Sequence, residues 1–175
     1  MFQPGELVFY GNTGVCRVEE VTRLHQTGPD REKLYYRLKP LQQDGVIYTP
    51  VEHNSKVVIR PVMTRAEAEA LIDRIPELPS EAYHSATLQS LAQHYQEMLG
   101  AHSGEALLAL MRSIYTKRAQ AKAHKRRLGM VDERFFKQAE RLLYGELAAA
   151  LEIPEDQVED YITRRIEKTK QEKAR

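Results

Sequence analysis

Glu6-Leu7-Val8-Phe9-Tyr10-Gly11-Asn12-Thr13-Gly14-Val15-Cys16-Arg17-Val18-Glu19-Glu20-Val21 decides the first third of the fold. A short apolar run stops at a cluster of turn residues, Gly11 to Gly14. A second run follows and continues to Leu24, its side chains alternating imperfectly between two faces, as a strand requires. Working outward, Gly28-Pro29-Asp30 marks a loop within residues 25–31, and Leu34-Tyr35-Tyr36-Arg37-Leu38 is rich in the aromatic residues that strands favour. Asp44-Gly45 is a tight-turn dipeptide just before Val46-Ile47-Tyr48-Thr49-Pro50. Lys56-Val57-Val58-Ile59-Arg60 supplies a last strand. Five short strands predict a curled antiparallel sheet or small SH3/Tudor-like barrel over residues 1–62. Such a module has little room for an enclosed active site, but its edges offer unpaired backbone groups to a partner.

The rest of the chain has helical periodicity, so the whole reads as α+β. Thr64-Arg65-Ala66-Glu67 has capping-box spacing and is followed by the stripe Ala68, Leu71, Ile72 and Ile75. Pro76 and Pro79 stop that helix, which makes residues 63–86 a helix and linker. Residues 87–175 read as a helical domain. Its first helix runs from about Thr87 to Leu99, and a second starts near Glu105 with Leu107, Leu108, Met111, Ile114 and Tyr115 on its apolar face. A third follows Gly129, which acts as N-cap with Asp132 answering it, and carries Phe135, Phe136, Ala139, Leu142, Leu143 and Leu147. Ile153-Pro154 opens the last helix, with Val158, Tyr161, Ile162 and Ile166 inward and a charged end, residues 167–175, expected to fray.

Net charge is only +1, but its distribution is uneven. Residues 76–111 hold four acids and no base. Arg112, Lys117, Arg118, Lys122, Lys125, Arg126 and Arg127 then follow without an acid between them. Arg118, Lys122 and Lys125 fall on one face of an extended helix, with Arg126 nearby. A stripe of this kind neutralises phosphates and releases counterions, which predicts nucleic-acid contact largely insensitive to sequence. Cations near a helix C-terminus also complement the helix dipole, a purely structural use of the same residues.

Motifs for catalysis are missing. Gly11-Asn12-Thr13-Gly14 lies between strands and lacks the helix and lysine of a phosphate loop. His25, His53, His84, His94, His102 and His124 are scattered without metal-ligand spacing, so no metal or cofactor is expected. The single cysteine, Cys16, excludes an internal disulfide and reads as a small core residue in a reducing, cytoplasmic setting. No apolar run approaches a membrane span, and the opening residues carry no secretory pattern. A binding protein rather than an enzyme is expected.

Phe2-Gln3-Pro4-Gly5-Glu6-Leu7-Val8-Phe9-Tyr10, then Gly14-Val15 and Val18-Glu19-Glu20-Val21, resemble the opening of the CarD/CdnL family and of the RNA-polymerase-interacting domain of transcription-repair coupling factors. The similarity continues through Tyr35-Tyr36-Arg37-Leu38, Val46 to Val51 and Val58 to Val62, and then through Leu142-Leu143-Tyr144-Gly145-Glu146-Leu147 and Ile153-Pro154. The resemblance implies a protein that grips the β subunit of bacterial RNA polymerase, at the β lobe, by sheet-edge contact. Arg23, Val46, Ile47, Tyr48, Thr49 and Pro50 occupy the matching region, with Tyr48 about where some members have an arginine. It also implies a helical domain that touches promoter DNA at the upstream edge of the melted bubble and slows bubble collapse. Many relatives place a tryptophan wedge near the start of that domain, and this chain has no tryptophan. Tyr83 is the nearest ring, so the DNA-contacting set reads Tyr83, Lys117, Arg118, Lys122, Lys125, Arg126 and Arg127. The expected protein is a monomer that associates with the nucleoid through polymerase. The alternative is an adaptor that binds polymerase and uses its helical domain for another protein.

Overall fold

The computed structural model describes residues 1–25, 27–52 and 56–175; His53, one of the scattered histidines, lies outside the described residues. The chain divides into two compact units, Met1–Val62 and Met63–Arg175.

The first unit is a five-stranded antiparallel sheet: β1 (Leu7–Tyr10), β2 (Gly14–Arg23), β3 (Leu34–Pro40), β4 (Ile47–Pro50) and β5 (Ile59–Pro61). Their order across the sheet is β4-β3-β2-β1-β5. The tight turn between β1 and β2 needs glycine. Gly11 has φ 45°, and a Cβ there would lie 2.6 Å from Val57 Cγ1. The Gly11 N–H also donates to Val58 C=O at 2.8 Å, tying the approach to β5 against the turn. The alternation of β2 is imperfect because the pairing with β3 shifts between Val18 and Glu20, a β-bulge. Val8, Cys16, Val18, Tyr36 and Leu38 form the buried face, with Phe2, Ile47 and Ile59 packed against it. The Phe2 N–H donates to Tyr36 Oη at 3.0 Å, which closes the open end of that core. Cys16 is fully buried, and desolvation pushes its thiol up to about 11, out of the range where a thiolate reacts.

The expected SH3/Tudor-like barrel is not what forms. β4 pairs only with β3 and β5 only with β1, so among the described residues the sheet stays open. The edge strands are short, four and three residues, and each has a single partner strand.

The second unit has five helices: α1 (Arg65–Asp73), α2 (Leu88–Gly100), α3 (Gly104–Ala123), α4 (Met130–Leu151) and α5 (Val158–Lys173). Thr64 and Glu67 make the reciprocal capping box at α1. Thr87 and Ser103 cap α2 and α3 by accepting from Ser90 and Ala106 backbone N–H groups. Leu107, Leu110, Ile114, Phe135, Leu142, Leu143, Leu147 and Leu151 fill the core where α3 meets α4. α1, which sequence reading grouped with the linker, packs on α4 and α5 inside this unit. The Met63 N–H donates to the buried Glu146 carboxylate at 2.9 Å, and Arg65 donates to Leu151 C=O at 2.7 Å. Pro154 precedes a 3-10 turn, Glu155–Gln157, rather than starting α5, and the charged end stays helical to Lys173.

α5 is clamped to α1 by Arg165, whose guanidinium donates to both Asp73 oxygens at 2.8 and 2.9 Å. That hydrogen-bonded cation holds the Asp73 carboxyl below its ordinary 3.8. A depressed folded-state value contributes stability above the unfolded value and loses it as pH falls through the folded one. An Asp73→Asn chain should therefore melt slightly below the native chain at pH 7, by under about 1 kcal/mol because both groups face water. The gap should close below pH 3.8. Melting curves from pH 7 to pH 2.5 check this; a gap that persists in acid refutes the ionic clamp.

Candidate functional site

Of the expected polymerase-binding residues, Ile47 to Pro50 form the edge strand of the sheet and Val46 directly precedes it. β4 faces β3 in the register Ile47↔Leu38, Tyr48↔Arg37, Thr49↔Tyr36 and Pro50↔Tyr35. The Val51 N–H donates inward to Leu34 C=O at 2.9 Å. Antiparallel strands alternate in the direction of their backbone groups, so Ile47 and Thr49 also turn theirs toward β3, whereas Val46, Tyr48 and Pro50 turn theirs to the open side. Pro50 has no N–H to offer, so within β4 Tyr48 carries the outward donor. The side chains divide likewise. Thr49 is buried and Ile47 half-buried against the core, while Tyr48 is 45% exposed and Val46 39%. Arg23 is not on this edge. It ends β2, pairs across the ladder with Leu34, and lies 3.8 Å from Glu32.

Beside the edge lie two features that sequence reading did not single out. Arg37, directly across from Tyr48, reaches Glu19 and Glu20 at 3.4 and 3.8 Å, and its buried Nε has no hydrogen-bond partner. An arginine within an aromatic run carries no signal of this; only the register brings it to Tyr48. At the far end of β4, Pro29, Lys33, Leu34, Pro50 and Val51 line an open cavity of about 480 Å3.

In the helical unit Arg118, Lys122 and Lys125 do not share one helical face, because Lys125 lies beyond the helix. α3 stops at Ala123. Lys125 takes a left-handed φ of 54°, the Lys125 N–H donates to Lys122 C=O at 3.0 Å, and the Arg126 N–H to Ala121 C=O at 2.8 Å. These are the bonds of a Schellman turn. Lys122, Lys125, Arg126 and Arg127 are exposed around that turn. Arg118 is half-buried and lies 4.4 Å over the Phe136 ring. Lys117 points inward. Its ammonium donates to Asp132 Oδ1 at 3.0 Å, and the fully buried Tyr95 hydroxyl donates to the same oxygen at 2.7 Å. Burial first, then the Asp132 carboxylate, raises the Tyr95 phenol well above its ordinary 10.0. Asp132 is 4% exposed and accepts from both Lys117 and Tyr95, so it serves as the polar centre of this unit, and no hydrogen bond to Gly129 accompanies that role. Tyr83 is half-buried, with one ring face stacked on His94 at 3.6 Å between centroids and 16° between planes.

Residues 2–63 match the family described as CarD-like/TRCF RID domain. The first unit is a RID domain. A RID domain is an RNA-polymerase-interacting domain. No curated protein matches the chain. The RID domain ends where the helical unit begins, so the family match does not reach the basic turn. Among the described residues, no group of His, Cys, Asp and Glu is arranged to hold a metal ion, and no helix is long and apolar enough to cross a membrane.

Proposed function

We propose that the chain is a bacterial transcription regulator that docks on the β lobe of RNA polymerase through β4 of its RID domain and lays the basic end of α3 on promoter DNA, holding the open complex. The observation that carries the reading is the free β4 edge within a domain of the polymerase-interacting family. Strand addition there supplies main-chain hydrogen bonds, and Tyr48, Val46 and Arg37 supply the side chains that choose the partner. The DNA side is supported by the exposed Lys122, Lys125, Arg126 and Arg127, in a stretch without an acid. These bind phosphates and read no bases, so tethering by polymerase determines where on DNA they act. The effect is binding without chemistry. A chain that contacts melted promoter more strongly than closed promoter shifts the balance, and about 1.4 kcal/mol of difference gives tenfold. On this reading the protein works in the cytoplasm as a monomer without a cofactor.

The test is the lifetime of a preformed open complex after competitor challenge. The native chain should lengthen it several-fold, and a Lys122→Glu, Lys125→Glu chain should still bind polymerase yet leave the lifetime unchanged. Equal lengthening by both chains would exclude the electrostatic contact, and polymerase binding without any lengthening would favour an adaptor.

A further inference from the structure

The loop between α3 and α4 encloses an open cavity of about 500 Å3, lined by His84, Lys117, His124, Arg126, Arg127 and Asp132 among others. Five of these six side chains are basic or protonatable, and they come from three segments: the stretch before α2, the end of α3, and the turn that follows. The lone acid does not dominate the field, because Asp132 Oδ1 accepts from both Lys117 and Tyr95. Among the described residues, neither Arg126 nor Arg127 makes an ion pair. The Schellman turn folds both arginines back to the cavity, whereas Lys122 and Lys125 do not line it. The candidate basic set therefore divides by surroundings: two lysines on open surface, two arginines on a recess.

We infer that this recess is a binding site for a single phosphate group. Arginine forks match phosphate oxygens two at a time, and His84 and His124 add N–H donors. A recess removes part of the water around a bound anion, so each contact acts through a lower dielectric than on a flat helix face. Gly129 lies on the cavity wall. A Cβ there would lie 3.2 Å from Asp132 Oδ2, on a carboxylate already held by two donors. The occupant is a backbone phosphate of DNA or the phosphate of a small free molecule. The inference deepens the DNA-contact reading, and rests on that reading only for which of these phosphates is seated.

The experiment is a calorimetric titration of the full chain with inorganic phosphate and with pyrophosphate at fixed ionic strength. Saturable binding is expected, weakened about tenfold or more by Arg126→Ala or Arg127→Ala, each of which removes charged hydrogen bonds. Lys125→Ala removes the same charge from outside the recess and should change affinity less than about twofold, as a screened surface charge does. All three side chains are exposed, so the variants should melt with the native chain. No saturation, or an equal loss with Lys125→Ala, overturns the site in favour of a diffuse field. A second arm follows a labelled duplex. Displacement of the duplex by pyrophosphate assigns the recess to a DNA phosphate; saturation by phosphate while the duplex stays bound assigns it to a free phosphorylated ligand. Duplex binding with no phosphate binding overturns the recess and leaves the proposed function standing.

Discussion

A Tyr48→Glu chain should bind the isolated β lobe of RNA polymerase at least about thirtyfold more weakly than the native chain, the loss typical of an aromatic anchor at an interface centre. Tyr48 is 45% exposed and packs nothing in the core, so the folded RID domain should survive the change with an unaltered melting curve. The loss comes from two sources. The aromatic surface disappears, and a carboxylate is placed where a partner strand would exclude its water. Tyr48→Phe keeps the ring and should bind almost as the native chain does. Tyr48→Pro removes the ring together with the outward N–H and no bond to β3, so its loss beyond that of Tyr48→Ala measures the main-chain contribution. Ile47→Glu is a poorer probe, because Ile47 packs against the buried face and its loss would unfold the edge. Calorimetric titration checks the series. Native affinity in both Tyr48→Glu and Tyr48→Pro would remove β4 as the docking edge.

The second large effect concerns Lys117. Replacing it with methionine should cost about 3 kcal/mol, the usual result of removing one partner from a buried ion pair. The Lys117 side chain is 15% exposed and that of Asp132 is 5% exposed, so the carboxylate left behind would keep only the Tyr95 hydroxyl as a donor. Asp132→Asn in the same chain should recover much of the loss, because the uncompensated charge is then gone. Lys122→Met, on the exposed end of α3, should change stability by less than about 0.5 kcal/mol. Denaturant unfolding of the four chains checks this. If Lys117→Met weakens DNA binding and leaves stability intact, Lys117 is a phosphate ligand after all and the buried network contributes little.

Much of this architecture is legible in the amino-acid sequence. Alternation around Val8, Cys16, Val18 and Leu38, and turn chemistry at Gly11 and Gly45, placed the strands within a few residues of where they form. The Thr64–Glu67 capping box and the 3.6-residue stripes placed the helices, because periodicity and caps are local properties. The start of α3, expected near Glu105, falls at Gly104, but its other end was missed for a local reason: Lys125 ends the helix in a left-handed conformation that only glycine would have signalled.

The chain by itself determined an α+β protein with a strand-rich first third, a helical remainder, an opening like that of the RID family, and a cluster of positive charge after Arg112. The tertiary structure decided what those residues do. Closure of the sheet depended on whether it curls far enough for β4 and β5 to meet, and among the described residues they do not pair, which leaves each at an edge. Lys117 and Lys122 look alike in sequence, yet one meets Asp132 and Tyr95 and the other meets water. Tyr83 rests on His94, and Arg37 comes to Tyr48, through pairings that no local pattern records. Periodicity encodes which face of an element is apolar; partners from distant segments are brought together only when those faces pack, and packing assigns each charged side chain to the core, to a recess or to open surface.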